Sequence, residues 1–167
     1  YEEDSAGNPE YVTALKADNL GFYEIDITKK SMVKRTFEKI QRSIQKRGGR
    51  DKSIDFVFHL AAYFTEDNRS SPLYESINHL GTKNIFAACE GINLKCFLHC
   101  STVGVMTPTK KYVLQNEDSP TKPFSRYGKT KLEAEKVALS YSQKMPVIIV
   151  RPAGVYTDYC QLPGITI

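Results

Sequence analysis

An α/β fold built on a parallel sheet is predicted by three features of the sequence. Strand-like and helix-like segments alternate along the chain as β-α-β-α-β-α-β. One strand candidate, Ile54-Asp55-Phe56-Val57-Phe58-His59-Leu60, is almost continuously apolar, as strands buried on both faces of a parallel sheet are. Glycine and proline breaks separate the segments at the lengths that such alternation needs. Parallel neighbours are then joined by right-handed crossovers.

Residues 1–20 are acidic, then mixed, with Gly7, Asn8 and Pro9 as breakers, and read as loop with a short helix around Tyr11–Lys16. Phe22–Ile27 alternates as a strand does, and Thr28 is placed to cap the next helix. That helix covers roughly Ser31–Gln45, with Met32, Phe37, Ile40 and Ile44 at near-helical spacing, and Gly48-Gly49 breaks it. Ile54–Leu60 is the second strand. A helix from about Pro72 to Glu90 follows, its stripe formed by Leu73, Ile77, Leu80, Ile85 and Ala88, and Gly91 stops it. Leu94–Cys100 is the third strand, 103–123 is loop, Ser125–Ser142 is helix, and Pro146–Arg151 is the fourth strand.

The 167 residues suit a single domain and can bury a substantial core. The hydrophobic fraction is 41% and the charged fraction 25%, which excludes wholesale disorder. No apolar run reaches the roughly 18 residues that a membrane helix needs. The net charge is +4, too mild an excess to argue for nucleic acid. Cys89, Cys96, Cys100 and Cys160 form no C-x-x-C pair, so free thiols in a reducing, cytoplasmic setting are expected. His59, His79 and His99 are scattered over strands and a helix, and no metal site is expected. The chain opens on Tyr1 and ends at Ile167 within what reads as a longer protein.

Ligands of such sheets gather beyond the carboxyl ends of the strands. There the sequence places Asp26; then His59, Leu60, Ala61 and Ala62; then Ser101 and Thr102; then Arg151 and Pro152. Arg151 is expected to pair with a carboxylate. Tyr127 and Lys131 stand four apart at the start of a helix, so they share a face, roughly 6 Å apart along the axis. A phenol is a poor base at pH 7, and a nearby ammonium favours the phenolate, so the pair suits proton exchange with a hydroxyl or carbonyl. Gly81, inside a helix, costs about 1 kcal/mol against Ala and signals the close approach of a neighbour.

Five motifs together resemble the extended short-chain dehydrogenase/reductases, also called the NAD-dependent epimerase/dehydratase family. They are F-V-F-H-L-A-A at 56–62, N-H-L-G-T-K-N at 78–84, F-L-H-C-S-T-V-G-V at 97–105, Y-x-x-x-K at 127–131 after E-D-x-P at 117–120, and V-R-P-A-G-V-Y at 150–156. The resemblance spans roughly residues 22–160. It implies a doubly wound, Rossmann-type sheet, here a single domain that lacks its first βαβ portion. Residues from about 153 to 167 would lead toward a substrate-binding region. The family's first strand, glycine-rich phosphate loop and cofactor-choosing residue have no counterpart in these residues, and its usual Tyr-Gly is replaced by Met106-Thr107.

The resemblance further implies an oxidoreductase, epimerase or dehydratase that uses NAD or NADP on a small molecule: a sugar nucleotide, a sterol-like compound or another alcohol. Tyr127 would be the acid/base, Lys131 its partner and a ribose contact, and Thr102 the hydroxyl on the reacting oxygen, with Ser101 as the register alternative. Cofactor contacts would come from Asp26, Ile27, Leu60, Ala61, Ala62, Asn78 and Pro152 as well as Tyr127 and Lys131. A homodimer is a further expectation. The rival reading is a non-catalytic cofactor-binding or structural subunit.

Overall fold

The apolar runs narrow to three short strands in the computed structural model, which describes residues 21–49, 52–65, 69–109 and 113–155. They are β1 (Phe56–His59), β2 (Cys96–Cys100) and β3 (Val147–Val150). All pair in parallel in the order β1-β2-β3, with Phe58 opposite Leu98 and Leu98 opposite Ile148. The expected adjacency of the strands at 56–60 and 97–100 is therefore met.

Helix α1 (Lys30–Gly48) precedes β1 and ends at Gly49, whose φ of +95° suits glycine. A continuous helical stretch, 72–89, joins β1 to β2: Tyr74–Gly81 winds as a π-helix and α2 (Thr82–Cys89) as an α-helix. A 3₁₀ turn, Val103–Val105, follows β2 within the segment read as loop. Helix α3 (Arg126–Tyr141) starts at Ser125, whose hydroxyl caps the Gly128 N–H at 2.9 Å, and leads to β3.

The helices cover one face of the sheet. Val33, Phe86, Cys89, Phe97 and Ala138 are fully buried between them, with Val57, Val147 and Ile149 packed alongside. The Phe86 and Phe97 rings stack with centroids 3.9 Å apart. Gly81 lies in this layer, and a Cβ there would come within 2.8 Å of the Ile27 side chain, the close approach its position implied.

Five expectations need correction. Phe22–Ile27 has no ladder partner among the described residues and is not a strand, because alternation makes a strand only where a neighbour completes its hydrogen bonds. The β1 strand is not buried on both faces: Phe56 and Phe58 are 53% and 65% exposed, because the described helices pack on the other side. Val33, absent from the expected α1 stripe, is its most buried residue. Leu73 and Leu80 are exposed while Tyr74, Asn78 and Thr82 are buried, since those polar groups find partners inside. Thr28 caps no helix and instead donates its N–H and hydroxyl to Asp26 Oδ1 at 2.9 and 2.7 Å. The expected helix at 11–16 lies outside the described residues. No helix among the described residues is long and apolar enough to cross a membrane.

Candidate active site

At the carboxyl end of β2, backbone and side chains of three elements meet. Ser101 N–H donates to the Val150 carbonyl at 2.7 Å, and Val103 N–H to the Pro152 carbonyl at 3.0 Å, so the exits of β2 and β3 run side by side. Thr102 accepts from Gly104 N–H through its hydroxyl at 3.1 Å, which caps the 3₁₀ turn. Helix α3 docks onto that turn through Gly128, where a Cβ would lie 2.3 Å from the Gly104 carbonyl oxygen. The helix start that carries Tyr127 is thereby seated on the turn that carries Thr102.

Lys131 is buried, 1% exposed, and its Nζ donates to the Cys100 carbonyl at 2.6 Å. Burial lowers its pKa, against the pull of Cys100 and Glu135. Tyr127 is half-buried, and burial followed by the nearby Cys100 raises its pKa. The expected lowering of the phenol by the lysine is thus not what this structure shows: the ammonium is occupied by a carbonyl, and desolvation dominates.

Beneath the site, His59 and His99 lie with ring centroids 5.6 Å apart. His59 Nε2 is 2.9 Å from the Thr82 hydroxyl, and neither ring nitrogen of His99 has a hydrogen-bond partner. Burial first, then the Lys131 charge, pushes His59 down to about 4 and His99 to about 3, the latter helped by His59. Both are therefore neutral at pH 7.

The remaining sequence-nominated residues divide. Leu60, Ala61 and Ala62 run exposed beyond β1, an open edge with small side chains, and Pro152 is half-buried beside the 3₁₀ turn. Asp26 is exposed, and its carboxyl, held by Thr28, lies below the usual carboxylate range. Ile27 packs against the core, and its carbonyl accepts from Asn84. Asn78 is fully buried: Oδ1 accepts from Tyr63 N–H at 2.6 Å, and Nδ2 donates to the Tyr63 carbonyl at 2.9 Å and to Thr130 Oγ1 at 3.1 Å. Its side chain holds the wall of the site together and has no amide group turned outward. Arg151 grips Glu135 with two bonds of 2.9 and 2.8 Å, the expected ion pair, and reaches the Glu117 carbonyl at 3.2 Å. Sequence reasoning missed Phe64, whose ring meets Tyr127 edge to face at 5.1 Å and 73°. It also missed the part played by Gly128. A groove of about 780 Å³ between α1 and α2, lined by Lys30, Lys34 and Asn84 among others, holds none of the site residues that the sequence nominated.

Parallel strands joined through helices, with a Y-x-x-x-K helix start seated at the strand ends, define a Rossmann-type α/β domain. The model of the NAD dependent epimerase/dehydratase family matches residues 4–164, and the chain belongs to that family. A dTDP-D-glucose 4,6-dehydratase of Dictyostelium discoideum is 32% identical over 156 residues, 85% of this chain and 33% of that protein. The N-acetyl-alpha-D-glucosaminyl-diphospho-ditrans,octacis-undecaprenol 4-epimerase of Escherichia coli O157:H7 is 34% identical over 109 residues, 63% of this chain and 32% of that protein. Among solved structures, UDP-glucuronic acid 4-epimerase from Bacillus cereus in complex with NAD superposes with a TM-score of 0.65 at 27% identity, covering 87% of this chain and 42% of the other. The chain spans about a third of the length of the curated relatives it matches.

Proposed function

We propose that the full-length protein is an NAD-dependent epimerase, dehydratase or reductase acting on a hydroxyl or carbonyl of a sugar-nucleotide-like small molecule. Tyr127, Lys131 and Thr102 form its acid–base set. The observation that carries this reading is the buried Lys131 ammonium, fixed at the end of β2 one helical turn from Tyr127. The residues that would hold a dinucleotide are the exposed Leu60–Ala62 segment beyond β1, which leaves backbone open to a flat ligand, and Pro152, whose carbonyl accepts from Val103 N–H beside Thr102. When bound, NAD supplies the hydride chemistry.

Tyr127 as it stands keeps its proton and is set to donate it to a carbonyl oxygen. Thr102 offers a second hydroxyl to the same oxygen. Lys131 supplies the positive charge that a phenolate needs when the proton moves the other way. The raised phenol and the carbonyl-bound lysine are also what a non-catalytic, cofactor-binding subunit would tolerate. One experiment separates the two readings. In the full-length protein, Tyr127→Phe should lower kcat by roughly 10²-fold or more while NAD binding survives, and Lys131→Met should lose both. Turnover of the Tyr127→Phe variant at the wild-type rate overturns the acid–base role. A wild-type protein that binds NAD and turns over no sugar nucleotide establishes the subunit reading.

A further inference from the structure

We propose that Phe64 determines specificity at this site. Its ring is an apolar wall beside the Tyr127 phenol, against which the C–H face of a ring-borne secondary alcohol packs, in preference to an open-chain one. The proposal rests on the reading of Tyr127 as the group that meets the reacting oxygen.

An exposed phenylalanine is by itself ordinary, and Phe64 is 60% exposed. What sets it apart is how it is held. On one side, the Asn78 side chain takes both the N–H and the carbonyl of Tyr63, at 2.6 and 2.9 Å. On the other, the Tyr74 hydroxyl accepts from Thr65 N–H at 3.2 Å and lies 2.7 Å from the Thr65 hydroxyl. The Tyr63 ring also stands edge to face against Tyr74, 5.0 Å away. Both neighbours of Phe64 are thus tied to the π-helical segment, while Phe64 itself meets Tyr127. Asn78 also donates to Thr130, three residues beyond Tyr127, so one buried amide sets the strip and the catalytic helix relative to each other.

The consequence is steric and apolar. A substrate oxygen must come within about 3 Å of the phenol oxygen. In the proposed arrangement the carbons around it pack on the Phe64 ring, which is centred 5.1 Å from the Tyr127 ring. A ring carried on a strip whose backbone is tied down on both sides rewards a partner that is itself a rigid ring, because less conformational freedom is lost on contact. A pyranose or an alicycle offers such a C–H face, and a flexible chain does not.

The test uses the full-length, NAD-loaded protein with ¹³C-labelled tyrosine, the Tyr127 signal being assigned by its loss in Tyr127→Phe. Cyclohexanol and 2-hexanol are titrated separately, and each affinity is read from the shift of that signal. Wild type and Phe64→Tyr should bind cyclohexanol about fivefold more tightly than 2-hexanol, the span of one aromatic contact. Phe64→Ala and Phe64→Leu should bring the two affinities within about twofold. Equal affinities in the wild type, a preference unchanged in both variants, or no shift of Tyr127 with either alcohol overturns the proposal. The two variants guard against a local collapse in one of them. The readout needs no turnover, so ring preference and the acid–base role fail separately.

Discussion

At Tyr127, burial and the neighbouring Cys100 act together to keep the phenol protonated, and on the proposed acid–base role this sets opposite pH dependences for the two directions of reaction. Reduction, which consumes the proton, should hold its rate from neutral pH up to the raised phenol pKa and fall above it. Oxidation, which needs the phenolate, should climb with pH over the same range. Opposite pH–rate limbs for the two directions, both abolished in Tyr127→Phe, are the expected result of steady-state assays. Gly128 matters as much as the side chains around it. Its missing Cβ would lie 2.3 Å from the Gly104 carbonyl and 2.9 Å from Pro123 Cβ, and rotation about a side-chain bond relieves neither contact. Gly128→Ala should push the start of α3 off the 3₁₀ turn and part Tyr127 from Thr102. A loss of 10-fold or more in kcat/KM, roughly what a displacement of this kind costs, should accompany a lower Tm. The sequence showed the tyrosine and lysine through their spacing. It could not show that position 128 touches position 104, because nothing local in either segment encodes that contact.

The strands and helices were the most legible part, since apolar runs and 3.6-residue spacing state their own period. Two errors have separate physical causes, and the first is the assumption that apolar means buried. Tyr74, Asn78 and Thr82 face inward because they are hydrogen-bonded there, and Leu73 and Leu80 were displaced outward from the expected stripe. Phe22–Ile27 alternates convincingly, yet a strand belongs to a ladder and no rung lies beside it among the described residues. The pairing of Arg151 with Glu135 was anticipated in kind though not in partner. It ties β3 to α3, and through the Glu117 carbonyl it also clips the loop before α3. Glu135 is 2% exposed. Glu135→Ala should therefore strand the guanidinium and cost roughly 2–3 kcal/mol in denaturant unfolding, with Glu135→Gln losing less because one hydrogen bond can re-form.

For the molecule as a whole, five loose motifs in the right order were enough to place the family, because each is a backbone or packing requirement of one fold. The substrate left no such mark, since it is chosen by side chains at strand ends and by parts of the relatives that these residues do not span. Buried neutral histidines give the domain a pH response of its own. His59 and His99 titrate near 6.5 when unfolded, but only near 4 and 3 when folded. Below pH 6.5 the unfolded chain binds protons that the folded one refuses. Stability should accordingly be full above pH 6.5 and fall toward pH 4, by up to about 1.4 kcal/mol per pH unit for each imidazole. Unfolding midpoints measured from pH 7.5 to 4.5 should show this slope, and His99→Phe should flatten it.

The uncovered side of the sheet bears on how the material behaves in a tube. Phe58, Leu98 and Ile148 form one row across the three strands, with Phe56 beside it, and no described helix shields them. A preparation of these 167 residues alone should light up a hydrophobic dye such as ANS and elute from a sizing column earlier as it is concentrated. Phe58→Lys together with Ile148→Lys should quench the dye signal and make the elution volume independent of loading. The same double change in the full-length protein should instead lower its melting temperature, a contrast that tells a sticky surface from an interior seam.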